Sequence, residues 1–319
     1  MRGGNGWGGR LALLAGGLAL VACGDAGAGG TEQDTAATAA AAPDFDGAAA
    51  YGLLEEQVGF GPRVPGSPGH AAQLEWMSKL LREHADTVLL QPFTHTTAAG
   101  ETLRLTNVFA RFAPERSDRI LLVAHWDTRS IAEMDADPAR RDQPILGAND
   151  GASGTAVLLQ LARMFGEDPP PVGVDLLLVD GEDYAPGEMY LGAKHFAANQ
   201  PEGYQPLYGI LLDMIGDSDP VFPVEGYSNQ YAPEVVQRVW STADRIGYGS
   251  MFPMRLGGTI EDDHVPLNQA GIRTIDIIDF EYGPGNTFWH THMDDLSAVS
   301  VRGLEAVGSV VAALVYSGG

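Results

Sequence analysis

The strongest constraint on how this chain folds is a set of three continuous apolar runs, each closing on an acid or a histidine. They are Arg119-Ile-Leu-Leu-Val-Ala-His125, Val172-Gly-Val-Asp-Leu-Leu-Leu-Val-Asp180, and Leu207–Met214 with Asp213 near its end. An apolar run that does not alternate is a strand covered on both faces, which places it in a parallel sheet with helices above and below. Spacing elsewhere supplies those helices. Tyr51–Gly59, Pro68–Ala85, Thr155–Phe165, Pro233–Ile246 and Val301–Tyr316 read as helical; in the second, Leu74, Met77, Leu80 and Leu81 recur on one face. Val88–His95 and Leu103–Phe112 read as a hairpin turning at Ala99-Gly100, and Arg273–Asp279 as a further strand. The predicted fold is α/β, a three-layer α/β/α sandwich whose mixed, mostly parallel central sheet has an antiparallel edge. In that architecture ligands bind beyond the carboxyl ends of the strands.

The N-terminal segment reads as an address. Met1–Ala22 carries Arg2 and Arg10, no acid, and the apolar run Leu11–Ala22, which is too short to span a bilayer. Its small residues lead directly into Cys23, the sole cysteine of the 319 residues. Leu20-Val-Ala-Cys23 resembles a bacterial lipoprotein box. That resemblance implies a signal peptide over 1–22, a lipid on Cys23, and an exported chain anchored to a membrane of the bacterial cell envelope. An ordinary signal peptide with an incidental cysteine is the alternative. Residues 23–50, rich in Ala and Gly, with acids and no base, read as a flexible tether, so the folded domain is expected over 51–319. With 19 basic against 42 acidic residues, a net charge of −23, the chain lacks the basic face that nucleic-acid binding requires.

Polar residues gather where the strands end. His125-Trp-Asp127 follows the first apolar run, Asp180-Gly-Glu182-Asp183 the second, and Asp213 the third. Asp150 sits in the turn Gly147-Ala-Asn-Asp-Gly-Ala-Ser-Gly154 before a helix, Asp262-Asp263-His264 precedes another, and Trp289-His290-Thr-His292-Met-Asp294 follows the last strand. Taken singly, an Asp in a Gly-rich turn is a turn former or a helix cap, and a lone His is a surface residue. Converging at one end of a sheet, these acids repel one another and require a cation, and a donor set of carboxylates and imidazole suits zinc. His292, two residues past His290 in an extended segment, points to the opposite face. Gly257-Gly258-Thr259 reads as a pocket rim rather than a phosphate loop, because no following Lys-Ser/Thr supports one.

The ordered motifs Ala124-His-Trp-Asp-Thr-Arg129, Gly147-Ala-Asn-Asp-Gly151, Val179-Asp-Gly-Glu-Asp183, Leu212-Asp-Met-Ile-Gly216, Ile260-Glu-Asp-Asp-His-Val-Pro266 and Trp289-His-Thr291 resemble the zinc aminopeptidase and glutaminyl cyclase superfamily. The chain looks most like the glutaminyl-peptide cyclotransferases of the animal and bacterial zinc type, over residues 51–319. The resemblance implies one zinc on Asp150, Asp183 and His290, Glu182 as general acid/base, Asp213, Asp262 and Asp276 as assisting acids, and Glu261 and Trp289 against the substrate. The implied substrates are peptides or proteins with N-terminal glutamine. His125 matches a histidine that binds a second metal in the aminopeptidases. Some positions depart from the animal cyclases. Asp183 stands where they carry Glu, Asp276 where they carry His, and Ala124 and Thr155 where they carry a cysteine pair. The loop Tyr184–Tyr190 lacks their tryptophan. For Asp276 a solvent-facing strand position is the alternative. A two-zinc aminopeptidase using His125, Asp150 and Asp213 for its other metal is the rival reading, and a non-catalytic ectodomain a lesser one.

Overall fold

The computed structural model describes residues 42–319; the signal peptide, Cys23 and most of the tether lie outside them. In chain order, helices α1 (Gly47–Gly59) and α2 (Pro68–His84) lead into strands β1 (Thr87–Thr96), β2 (Thr102–Phe112) and β3 (Arg119–His125). Helix α3 (Ala152–Glu167), strand β4 (Gly173–Val179), the small hairpin β5 (Asp183–Ala185) and β6 (Glu188–Met189), helix α4 (Leu191–Ala198) and strand β7 (Tyr208–Asp213) follow. Helices α5 (Gly226–Tyr231), α6 (Pro233–Arg245) and α7 (His264–Gln269), strand β8 (Thr274–Ile278) and helix α8 (Val301–Tyr316) complete the chain.

The main sheet runs β1-β2-β4-β3-β7-β8. Strands β4, β3, β7 and β8 are parallel, and β2 and β1 extend the β4 side antiparallel. The three uninterrupted apolar runs are β3, β4 and β7, and every residue of each is buried. Alternate residues divide between two cores, as a period of two requires. Ile120, Leu122 and Ala124 of β3 pack in the larger core with Leu53 and Leu54 of α1, Val157 and Leu161 of α3, and Val307 and Val311 of α8. Leu121 and Val123 turn the other way, onto Ala193 and Phe196 of α4 and Leu267 of α7. Helix α3 comes so close to β7 that a Cβ on Gly154 would lie 2.1 Å from the Leu212 carbonyl oxygen. At the outer edge, Pro92 of β1 faces Thr106, whose N–H points away from β1 to Asp180 Oδ2 at 2.6 Å.

One boundary is corrected. The folded unit starts before Tyr51: α1 begins at Gly47, capped by the Asp46 side chain accepting from the Ala49 N–H at 2.9 Å. Phe45 is 7% exposed and lies against α8, where a Cβ on Gly308 would sit 2.3 Å from its ring. Residues 42–50 therefore belong to the domain, and an Ala-rich stretch that resembled tether is helix and core anchor.

Candidate metal and catalytic site

The chain leaves β3 toward β4 on one side and enters β7 on the other, so the carboxyl ends of these strands surround a crevice, the place where open α/β sheets bind ligands. Into it project His125 from β3, Glu182 and Asp183 after β4, and Asp213 from β7, with Asp150 just before α3 and His290 from the loop before α8. The local backbone explains the motifs. Gly151 adopts φ 98°, and a Cβ there would lie 2.6 Å from the Asp127 carbonyl oxygen, so the turn that presents Asp150 needs glycine. Asp294 accepts from the Asn149 N–H at 2.7 Å and the Asp150 N–H at 3.2 Å, holding the same turn from below. Buried Arg63 clamps its start, donating to the Leu146 carbonyl and, at 2.8 Å, to the Gly147 carbonyl. The Asp127 carboxylate receives the N–H groups of Glu182 (3.1 Å) and Asp183 (3.2 Å), which fixes the acid pair. His290 sits at φ 53°, a left-handed conformation that costs a non-glycine residue free energy and marks a functional turn.

Two donor groups result, and they share Asp150. Donor atoms of Asp150, Asp183 and His290 lie within 4.8 Å of one another, and so do those of His125, Asp150 and Asp213. Asp150 turns Oδ1 toward His125 Nε2 (3.2 Å) and Oδ2 toward His290 Nε2 (3.6 Å). His125 Nε2 lies 3.1 Å from Asp213 Oδ1, and His290 Nε2 3.4 Å from Asp183 Oδ1. The residues fit a zinc ion: Asp183 Oδ2 is buried with no hydrogen-bond partner, and nitrogen and carboxylate oxygen are donors that zinc takes. The field also demands positive charge. Burial disfavours the imidazolium of His290, yet Asp183, Glu133 and Asp150 push its pKa up to about 10. Burial likewise opposes charge on His125, and Asp127, Asp150 and Asp213 override it to raise its pKa well above the usual value.

Around these donors the sequence-predicted acids assemble. Burial raises Glu182 well above the carboxylate range; His125 opposes the shift, and Asp183, Asp262 and Asp263 reinforce it. Burial with Asp213 and Asp263 does the same to Asp262. Asp276 is fully buried, not solvent-facing, and burial with Asp262 and Asp213 raises it strongly. Like-charged neighbours of this kind share protons rather than ionise together. A cavity of about 510 Å³ opens above, lined by Glu182, Asp213, Glu261, Asp262 and Trp289 along with the donors Asp150, Asp183 and His290. Asp276 is not on its wall; it acts on the site through the neighbouring acids Asp262 and Asp213. Trp289 stacks on His290 with ring centroids 3.7 Å apart, and Phe280 packs on Trp289 at 5.2 Å. Where the animal cyclases carry a tryptophan, the β5–β6 hairpin lines the cavity with Pro186, Gly187, Met189 and Tyr190. His292 is outside the donor group, paired with Asp135 Oδ2 at 2.6 Å.

Sequence reasoning missed Glu133. Its carboxylate accepts from His290 Nδ1 at 3.0 Å and pairs with Arg129, which also donates to Asp183 Oδ1 at 2.6 Å. It thereby fixes the tautomer that presents Nε2 to a metal. Asp263, counted among the converging acids but given no role, is buried: both its oxygens lack partners, and burial with Asp127 and Asp213 pushes it up to about 8 against His125.

Residues 107–315 match the model of peptidase family M28. A crystal structure of Bacteroides thetaiotaomicron glutaminyl cyclase bound to N-acetylhistamine is 39% identical, covers 86% of this chain and 99% of its own, and superposes with a TM-score of 0.83. A leucine aminopeptidase precursor from the same organism is 38% identical, with 86% and 98% coverage and a TM-score of 0.83. The glutaminyl-peptide cyclotransferase of Bos taurus is 27% identical over 276 residues, 73% of this chain and 72% of that protein. With a family model matched over most of the folded residues and its metal donors gathered at the strand ends, this chain belongs to peptidase family M28.

Proposed function

We propose that this protein is a zinc-dependent glutaminyl-peptide cyclotransferase, which converts the N-terminal glutamine of peptides or proteins to pyroglutamate and releases ammonia. The observation that carries the reading is the 39% identity across 99% of a bacterial glutaminyl cyclase. The tryptophan-walled cavity above the donor group supports it.

We assign one zinc to Asp150, Asp183 and His290, where it would polarise the side-chain amide carbonyl of the substrate as a Lewis acid. The chain's own groups do the rest. Trp289, Phe280, Ile278 and Met214 form an apolar wall that excludes water and holds the glutamine folded, so that its α-amine meets its own amide carbon. Glu261, exposed on the rim, offers a carboxylate to that amine. Glu182 takes the proton from the attacking nitrogen and delivers it to the amide nitrogen. A new N–C bond closes the ring as the C–N bond to ammonia breaks, and no water is consumed. Burial and neighbouring acids bring Glu182 toward the working pH, where a proton relay is most effective. Asp262, itself raised by burial with Asp213 and Asp263, is one of the acids that raise Glu182, and Asp276 in turn is raised by burial with Asp262 and Asp213.

A second reading rests on one specific observation. His125, Asp150 and Asp213 form a complete second donor group, as a two-metal aminopeptidase would need. Incubation of the zinc-loaded protein with a Gln-initiated dipeptide separates the two: pyroglutamyl product and ammonia are expected, and Glu182→Gln should lower kcat by about 10²–10⁴-fold. Free glutamine in place of pyroglutamate would sink the cyclase reading in favour of the peptidase. The proposed setting is the bacterial cell envelope, with the chain held on a membrane by a lipid on Cys23. Membrane fractionation of wild type against Cys23→Ser tests it, with loss of the variant from the membrane fraction expected.

A further inference from the structure

Beside the catalytic cavity lies a second groove, of about 320 Å³, to which no role has been given. The two share a wall: Ile260, Ile278 and Phe280 line both. The outer side of the groove is the segment Arg255–Gly258, which Thr259 continues into the catalytic cavity, and the facing side is Asp279–Glu281. The outer segment is held from behind. Val224 donates to the Arg255 carbonyl at 2.9 Å, and Gly257 donates to the Val224 carbonyl at 2.8 Å, which is one rung of a parallel ladder. In such a ladder residues 255 and 257 spend their groups inward, and residue 256 faces the other way.

Leu256 follows that rule. Its backbone N–H and C=O make no hydrogen bond among the described residues, and its side chain is 65% exposed. The neighbouring Gly257 and Gly258 put no side chain in the path of an approaching backbone. Arg255, exposed on the same segment, has no carboxylate within ion-pair distance among the described residues. A bridged residue with its backbone N–H and C=O free, a clear approach and an unpaired guanidinium, all in a groove continuous with the cavity wall, are the components of strand-addition recognition.

We propose that this groove is the subsite for the residues that follow the substrate's N-terminal glutamine. The peptide lies extended along Arg255–Thr259, pairs its backbone with the N–H and C=O of Leu256, and brings a downstream carboxylate to Arg255. This rests on the cyclase reading, since the occupant of the cavity fixes the occupant of the groove. It makes the protein an enzyme of extended chain ends, with preference among them set by charge several residues from the reacting atoms.

The test measures pyroglutamate formation by the zinc-loaded full chain on Gln peptides of two, three and five residues. The pentapeptides carry Glu, Gln or Lys at the last two positions, as free acids and as C-terminal amides. Two backbone hydrogen bonds predict kcat/KM about tenfold higher for pentapeptides than for the dipeptide, carried by KM. Leu256→Pro removes the outward N–H while sparing the rung through residues 255 and 257, and should collapse the pentapeptide-to-dipeptide ratio toward one. Arg255→Glu should reverse the preference between Glu- and Lys-bearing peptides. A reversal seen only with free acids assigns the carboxylate to the chain terminus, and one kept in the amides assigns it to a side chain. Pyroglutamate formed at a rate independent of length, or a length dependence untouched in both variants, overturns the groove and leaves the cyclase standing. No pyroglutamate from any peptide overturns both.

Discussion

At the scale of single residues the site is built on support as much as on donors. Glu133 lines the cavity but belongs to neither donor group, yet its bond to His290 Nδ1 sets which nitrogen faces the metal, and Arg129 ties it to Asp183. Glu133→Gln should weaken zinc binding about 10–100-fold while leaving the fold intact, measured by competition with a chromophoric chelator. A second residue-scale expectation concerns Asp279. Burial pushes its pKa up to about 6 against two backbone N–H bonds from Val221 and Glu281, whereas an unfolded Asp titrates near ~3.9. Because the folded form holds its proton longer, its contribution to stability is present at low pH and is lost as pH rises through that window. Unfolding curves of Asp279→Asn against wild type should therefore shift in the variant's favour from about pH 4 to about pH 6 and stay level above. The donors His125, Asp183 and Asp213, and the acid Glu182 beside them, were legible in the sequence because each stands at or just after the end of an unmistakable apolar run. Glu133 was not. It sits in the aperiodic stretch between β3 and α3, and only the return of the chain to His290 gives it a role.

At the scale of elements, legibility followed length and period. The closing helix Val301–Tyr316 and the strand Arg119–His125 have the bounds their patterns predict, and the antiparallel edge forms where the hairpin was expected. The β5–β6 hairpin and α5 are too short to complete a period, so no pattern announces them. The start of α1 was hidden for another reason: its Ala-rich first turn has the composition of the tether before it, and only the packing of Phe45 distinguishes them. That packing predicts a measurable boundary. A chain beginning at Tyr51 lacks Phe45, the Asp46 cap and the first turn of α1, and should lose on the order of 3–5 kcal/mol relative to one beginning at residue 42, read from denaturant unfolding.

At the scale of the whole molecule, the acidity of the chain is partly concentrated at the ends of four parallel strands, where buried carboxylates outnumber their cations. Zinc should accordingly raise the unfolding temperature in a concentration-dependent way, following mass action, and chelator should reverse it. Elemental analysis is expected to find one tightly held zinc per chain; two would favour the peptidase. The last consequence lies at the far edge of the same sheet. The N–H and carbonyl of Thr106 are spent on Asp180 and the Trp126 ring N–H, away from β1, so the facing Pro92 directs its nitrogen outward. Strand β1 carries Leu89 and Leu90 at 49% and 41% exposure and would otherwise offer an unbroken row of donors to the edge of another copy. A pyrrolidine ring interrupts that row. Where copies of the chain crowd together, the proline keeps neighbouring molecules from zipping into one continuous sheet.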